Sequence, residues 1–215
     1  MEIDIKNKTI CLCAKRNSGK SQLIRYLYLT NKDIFKKVFI ICPSECVNKF
    51  YSHFVPKENI FDEYEEEWVE RLINKLSDIN AGLKDDEAQH VLLILDDCAS
   101  DISFHQSKSF KKLFTRGRHI KITIFITTQY LYQIPPVARN NSDYLLIGQL
   151  NTQGIGLLTK EFMVGDITKK DFIKLYNLST SDYGFLLINN NSTTDNHNID
   201  LIYGLVKVPE KYINN

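Results

Sequence analysis

The sequence has no long apolar run. Its longest clear one is "VLLIL" at 91–95, far short of the ~20 residues that span a bilayer, so no membrane-spanning segment is expected. It also lacks an excess of either charge. With 27 Lys plus Arg against 26 Asp plus Glu, net charge does not mark a polyanionic partner, and any nucleic-acid surface must be a local patch. The first residues, "MEIDIKNK", carry no apolar stretch of the kind that forms a secretory signal. Cysteine is sparse and odd in number: Cys11, Cys13, Cys42, Cys46 and Cys98. That suits reduced thiols in an intracellular compartment. Neither Cys11-x-Cys13 nor "CPSEC" at 42–46 has the two-residue gap of a zinc knuckle, so these read as small apolar packing residues rather than metal ligands. No internal repeat or long linker breaks the chain. At 215 residues, 43% hydrophobic and 25% charged, it reads as one domain with a large core.

Apolar runs alternate with helical patterns. The strand-like runs are 8–14, 37–43, 91–97, 122–129 and 143–150. Between them, 20–30, 65–79 and 107–116 repeat at the helical period. Runs apolar on both faces, separated by helices, mean a mainly parallel sheet covered on two sides, the α/β class. After this core of about 8–150, a helix is expected over 168–178, then two strands, "YGFLLINN" and "LIYGLVKV". A mobile polar loop or hairpin tip is expected at 189–198. Residues 151–215 complete or extend the sheet. Glu65, Glu66 and Glu67 open a helix, where negative charge suits the dipole.

The turn after the first run reads Ala14-Lys15-Arg16-Asn17-Ser18-Gly19-Lys20-Ser21, close to the phosphate loop G-x-x-x-x-G-K-[ST] seated between strand and helix. Backbone N–H groups of 17–21 are placed to wrap a β-phosphate at the positive end of the helix. Lys15, Arg16, Asn17, Ser18, Gly19, Lys20, Ser21 and Gln22 are therefore the candidate nucleotide-binding residues. Lys20 brings charge to the β/γ oxygens, and the Ser21 hydroxyl is a candidate Mg²⁺ ligand. The opening glycine is replaced by Ala14, which alters the exit turn without removing a ligand.

A second element supports the first. "HVLLILDD" is a strand ending in Asp96 and Asp97. Mg²⁺ takes one or two carboxylates plus substrate phosphates, so Asp96 is a candidate metal ligand. Asp97, turned to the other side, is free to act on an attacking water. A third strand ends in Thr127-Thr128-Gln129, then Pro135-Pro136 and Arg139. Gln129 reads either as a contact to the lytic water or γ-phosphate, or as a strand cap. Arg139 is expected at an exposed position, either reaching a neighbouring subunit's phosphate in trans or making a surface ion pair.

The stretches "AKRNSGKS", "LLILDD" and "FTRGRHIKITIFITTQYLYQIPPVARNNSDYLLI", in that order, resemble the poxvirus-type genome-packaging ATPases of large DNA viruses and virophages, within the HerA/FtsK superfamily of P-loop motors. The resemblance implies a RecA-like (ASCE-type) fold with an extra strand between the phosphate-loop strand and the Asp-Asp strand. Numbering the five core runs in chain order, the expected sheet is 5-1-4-3-2 plus a C-terminal β addition. It implies ATP and Mg²⁺, a homo-oligomeric ring (pentamer or hexamer), double-stranded DNA driven through it, and capsid vertex proteins as partners. It also implies action in the virus factory of an infected cell, with virion association. By position, Asp97 is the catalytic carboxylate, Gln129 the sensor, and Arg139 the finger in trans, with Arg116 and Arg118 as rivals. The basic stretch 100–121, with Lys108, Lys111 and Lys112, could track DNA phosphates or be a solvated helix face, and the loop 99–109 is expected to face the pore.

Other readings compete. "TKKD" at 168–171 spells a guanine-recognition motif, but it also spells a helix cap, and no D-x-x-G follows the Asp-Asp strand. A nucleotide kinase shares the phosphate loop, yet Asp97 and Gln129 favour water as the acceptor. A non-motor P-loop scaffold sits poorly with intact Lys20, Ser21, Asp96 and Asp97.

Overall fold

The computed structural model describes residues 3–98, 104, 106–164, 167–191 and 202–212. Eight strands form one sheet: β1 (Thr9–Cys13), β2 (Lys37–Ile41), β3 (Ile60–Phe61), β4 (Val91–Leu95), β5 (Ile122–Thr128), β6 (Tyr144–Ile147), β7 (Phe185–Asn189) and β8 (Tyr203–Val206). Their spatial order is β3-β2-β4-β5-β1-β6-β7-β8. Strands β1 to β6 pair in parallel, while β7 and β8 add antiparallel. The five core runs stand in the expected sequence, with β5 inserted between β1 and β4. The C-terminal addition is the β7–β8 pair, and the two-residue edge strand β3 was not foreseen.

Seven helices are described: α1 (Lys20–Asn31), α2 (Glu45–Asn48), α3 (Glu66–Ile79), α4 (Lys108–Arg116), α5 (Pro136–Asn141), α6 (Thr152–Phe162) and α7 (Lys169–Ser179). Strand alternation sorts the core into two layers. Ile10, Leu12, Leu92, Ile94 and Phe125 pack with Leu23, Ile24 and Leu27 of α1. Cys11, Cys13, Leu93, Leu95, Ile124 and Ile126 face α3, α4 and the helices that follow. Because both faces are buried, the strands read as continuous apolar runs. All five cysteines are free, with four buried and Cys46 exposed. Burial pushes the Cys11 thiol up to about 12, as expected of a packing residue. Among the described residues no helix is long and apolar enough to cross a membrane.

Helix α6 was not expected, since its sequence TQGIGLLTKEF holds two glycines, each unfavourable in a helix. Tertiary contacts override that propensity. Leu158 and Phe162 are buried in the core, and the Asn151 side chain caps the helix by accepting from the Gly154 N–H at 2.8 Å. The TKKD stretch is a cap: Thr168 Oγ1 accepts the Asp171 N–H at 3.2 Å and donates to the Asp171 carboxylate at 2.6 Å. Residues 192–198 of the expected polar loop, and 99–103 and 105 of the expected pore loop, lie outside the described residues.

The acidic opening of α3 does more than suit its own dipole. Glu66 Oε1 accepts the backbone N–H of Lys108 at 2.8 Å and of Ser109 at 3.2 Å. One helix thus caps the start of another, α4, together with the Ser107 hydroxyl, which accepts from Phe110 N–H. These N–H donors, Ser109's first, hold the Glu66 carboxyl below its ordinary value. A depressed carboxylate contributes stability above the unfolded pKa and loses it as pH falls through the folded one. Glu66→Gln should therefore be less stable than wild type at neutral pH, and the gap should close as pH drops below about 4.5. Urea denaturation across that range measures it; a gap independent of pH contradicts the capping role.

Candidate active site

Parallel register brings the strand tips to one edge of the sheet. Cys13 stands beside Thr128 and Leu95 beside Ile126, so the loops leaving β1, β4 and β5 emerge side by side. The chain leaves β1 still tied to both neighbours. Ala14 N–H donates to Thr128 O at 3.2 Å and Lys15 N–H to Gln149 O at 2.8 Å. Two residues of the phosphate loop are left-handed: Asn17 (φ 58°) and Gly19 (φ 85°). Asn tolerates this region, and Gly19 occupies it without steric cost.

Gly19 is the N-cap of α1. No side chain caps that helix end, and its first turn holds no acidic residue. Its free N–H groups and its dipole make a cup for an anion. Lys20 is buried, and its Nζ donates to Ala14 O at 2.9 Å and Lys15 O at 3.4 Å. The ammonium is thus parked on the carbonyls of its own loop, from which it can move to a phosphate. Lys15, Arg16 and Asn17 are exposed, and Ser18, Ser21 and Gln22 are half-buried.

Ala14 fits because Gly148 faces it. A Cβ at Gly148 would stand 2.7 Å from the Ala14 methyl and 3.0 Å from the Phe185 ring. The methyl that this loop gains at its opening occupies space left by a glycine on the neighbouring strand's exit.

The carboxylates meet at the tip of β4. Asp96 lies on the α1 side and is buried. Its Oδ2 accepts from the Tyr51 hydroxyl at 2.9 Å and more loosely from the Cys42 thiol at 3.6 Å, and its Oδ1 accepts from the Thr127 hydroxyl. Burial pushes the Asp96 carboxyl above its usual range, with Asp97's charge adding, while the Thr127 and Tyr51 hydrogen bonds oppose it. Burial likewise pushes the Tyr51 phenol well up, keeping it a donor. The same Thr127 oxygen accepts the Asp97 N–H at 3.2 Å. Asp97 itself is left-handed, φ 53°, and Gln129 Nε2 donates to its Oδ2 at 3.1 Å. Lys20 and Asp97 both act electrostatically on the buried Cys13 thiol at the end of β1, so the cup and the carboxylate edge are neighbours.

The donor set fits Mg²⁺ only in the presence of phosphate. Among the described residues no cluster of three or more His, Cys, Asp or Glu could hold a metal alone. The candidate ligands Ser21 and Asp96 would supply one hydroxyl and one carboxylate, a set that suits Mg²⁺ when a substrate completes its shell.

Arg139 departs from expectation. It is not exposed but buried within α5. Its Nε and Nη2 form a two-pronged bridge to Glu161 of α6 at 2.8 and 2.9 Å, and its Nη1 donates to Ile134 O. A guanidinium so engaged is not offered to a neighbour. Arg116 and Arg118, in contrast, are exposed. The basic stretch is also less cationic than it reads, because α3 lies against it. Lys112 pairs with Glu70, while Lys108 and Lys111 remain exposed. Three residues missed in the sequence border the loop. A cavity of about 400 Å³ opens over 17–22, and its far wall is Phe50, Tyr183 and Val208. Nothing in the local pattern marks them, as they come from three separate segments.

The match to known proteins follows this geometry. A family model described as Poxvirus A32 protein covers residues 4–201. The chain belongs to that family. It is 32% identical over 203 residues to uncharacterized protein 075L of Invertebrate iridescent virus 6, spanning 94% of this chain and 77% of the relative. In fold it is similar to B204, the DNA-packaging ATPase from Sulfolobus Turreted Icosahedral Virus, with TM-score 0.64 at 17% identity over 95% and 98% of the two chains. The genome packaging NTPase B204 of Sulfolobus turreted icosahedral virus 2, solved with ATP-gammaS, gives 0.63 at 16% identity over 93% and 96%.

The Ala14–Gly148 fit is testable. Gly148→Ala should lower stability by about 1–3 kcal/mol through overpacking. Adding Ala14→Gly should recover part of that loss, a non-additive result in urea denaturation. Strict additivity would mean the two positions are not coupled.

Proposed function

We propose that the chain is an ATP-hydrolysing motor that moves double-stranded DNA in viral genome packaging. The observation that carries the reading is the convergence at one sheet edge of an uncapped helix start bearing Lys20 and a strand tip whose Asp97 is held by Gln129. Family membership and the fold shared with a DNA-packaging ATPase support it, as does the solution of a protein of that fold with ATP-gammaS.

In this reading the N–H groups of 17–21 hold the β-phosphate and Lys20 leaves its loop carbonyls for the β/γ oxygens. Ser21 and Asp96 would hold Mg²⁺, which when bound would offset charge on the phosphates. Asp97 accepts the proton of the attacking water, and Gln129 fixes the rotamer of that carboxylate and the water beside it. A second carboxylate free of the metal favours hydrolysis over transfer to an alcohol, and so speaks against the alternative nucleotide-kinase and scaffold readings. With Arg139 committed to Glu161, the finger reaching a neighbour's phosphate in a pentameric or hexameric ring falls to Arg116 or Arg118. Lys108 and Lys111 are the lysines left to track DNA phosphates. The protein acts in the virus factory of an infected cell, docked on a capsid vertex.

Phosphate release from ATP, measured with and without duplex DNA, tests this. Wild type should release phosphate faster with DNA. Lys20→Ala should abolish turnover. Asp97→Asn should still bind ATP but turn over ~10²-fold more slowly or worse, the usual worth of a base or water-orienting group. Full activity of Asp97→Asn would remove that carboxylate from the mechanism, and transfer of phosphate to a nucleoside would favour a kinase.

A further inference from the structure

The cavity over the phosphate loop has a feature that phosphate binding does not use. Its outer wall is aromatic. Tyr183 is 64% exposed, and no aromatic ring packs on it among the described residues. Its Cβ lies 3.7 Å from where a Cβ on Gly19 would be, so the ring hangs beside the loop's own glycine. Phe50, on the same cavity, is fixed by edge-on contacts to Tyr51 (5.2 Å, 87°) and Phe54 (5.5 Å, 85°).

The backbone holding Tyr183 is unusual. Gly184 N–H closes a tight turn onto Ser181 O at 2.8 Å, and both central residues are left-handed, Asp182 at φ 48° and Tyr183 at φ 58°. This is the geometry of a type I′ turn, normally spelled Asn-Gly or Asp-Gly. A bulky tyrosine there is an outlier. Strained residues of this sort persist where the surroundings over-determine them, and they gather at ligand clamps.

A triphosphate seated on 17–21 must send its nucleoside somewhere. The cavity of about 400 Å³ adjoining Gly19 is within the size range of small-ligand sites. We propose that Tyr183 stacks on the nucleobase, with Phe50 lining the same pocket. The ligand is thereby a nucleoside triphosphate rather than any polyphosphate. Stacking on a ring tolerates every base, since each has a π-face, so the pocket selects the presence of a base more than its identity. This rests on the phosphate-loop reading above and extends it to the other end of the ligand.

Binding of ATP and of inorganic tripolyphosphate, each with Mg²⁺, is measured by calorimetry for wild type, Tyr183→Asn, Tyr183→Phe and Lys20→Ala. Asparagine tolerates a left-handed backbone, so Tyr183→Asn keeps the turn while removing the ring. It should weaken ATP at least about fivefold, the lower end of what a base–aromatic stack provides, and leave tripolyphosphate unchanged. Tyr183→Phe should bind ATP within about twofold of wild type, and Lys20→Ala should weaken both ligands. If Tyr183→Asn binds ATP as well as wild type does, or loses both ligands equally, the stacking role is overturned while the phosphate loop stands. If wild type binds neither ligand, or Lys20→Ala changes neither, the phosphate-loop reading fails and the base site falls with it.

Discussion

One hydroxyl holds the double-aspartate edge together. Thr127 Oγ1 donates to the Asp96 carboxylate and accepts the Asp97 N–H, so one carboxylate and the backbone of the next are fixed at once by a single side chain on the adjoining strand. That contact exists only because β5 is inserted between β1 and β4. Threonine suits the position. Its branched side chain favours a strand, and its hydroxyl satisfies buried polar groups that an apolar residue would strand. Two residues on, the same strand delivers Gln129 to Asp97. The alternation that sends Ile124 and Ile126 into one core layer sends Thr127 and Gln129 toward the carboxylates.

The arrangement is not built for the stability of the ligand-free chain. Asp96 is buried among Tyr51, Cys42 and Thr127, and its carboxyl is pushed up despite their hydrogen bonds. Asp97 and Tyr183 are held left-handed without being glycine. The first turn of α1 has no side-chain cap, although caps ordinarily favour a helix. Each of these is unfavourable without a ligand, and each becomes useful if an anion, a divalent cation and a nucleoside arrive together. Their grouping at the strand tips, beside the phosphate loop, is what a working site would show.

Much of this was readable in advance because its signals are local. Strands buried on both faces spell themselves as apolar runs, so the order of the five core strands and the strand-tip positions of Asp96, Asp97 and Gln129 followed from pattern and family resemblance. Lys20 and Gly19 sit within one short loop and were equally plain. What escaped depends on partners far away in the chain. Arg139 looked exposed after two prolines, because Glu161, which buries its charge, lies on a helix whose glycines hid it. Lys112 looked free, because Glu70 comes from a different helix. The cavity wall joins Phe50, Tyr183 and Val208 from three segments, and only the folded β7–β8 addition brings the latter two to the phosphate loop. The Ala14 substitution looked like a weakened motif until Gly148 was seen opposite it.

The central claim is that the Lys20 cup and the double-aspartate edge close on one magnesium-bound triphosphate. The most direct test is a crystal structure with a non-hydrolysable ATP analogue and Mg²⁺. The account requires phosphate oxygens on the N–H groups of 17–21, Lys20 Nζ moved from the Ala14 carbonyl to those oxygens, and the ion between Ser21 and Asp96. An analogue bound elsewhere, or a lysine still on its own loop with the ion remote from Asp96, would contradict it.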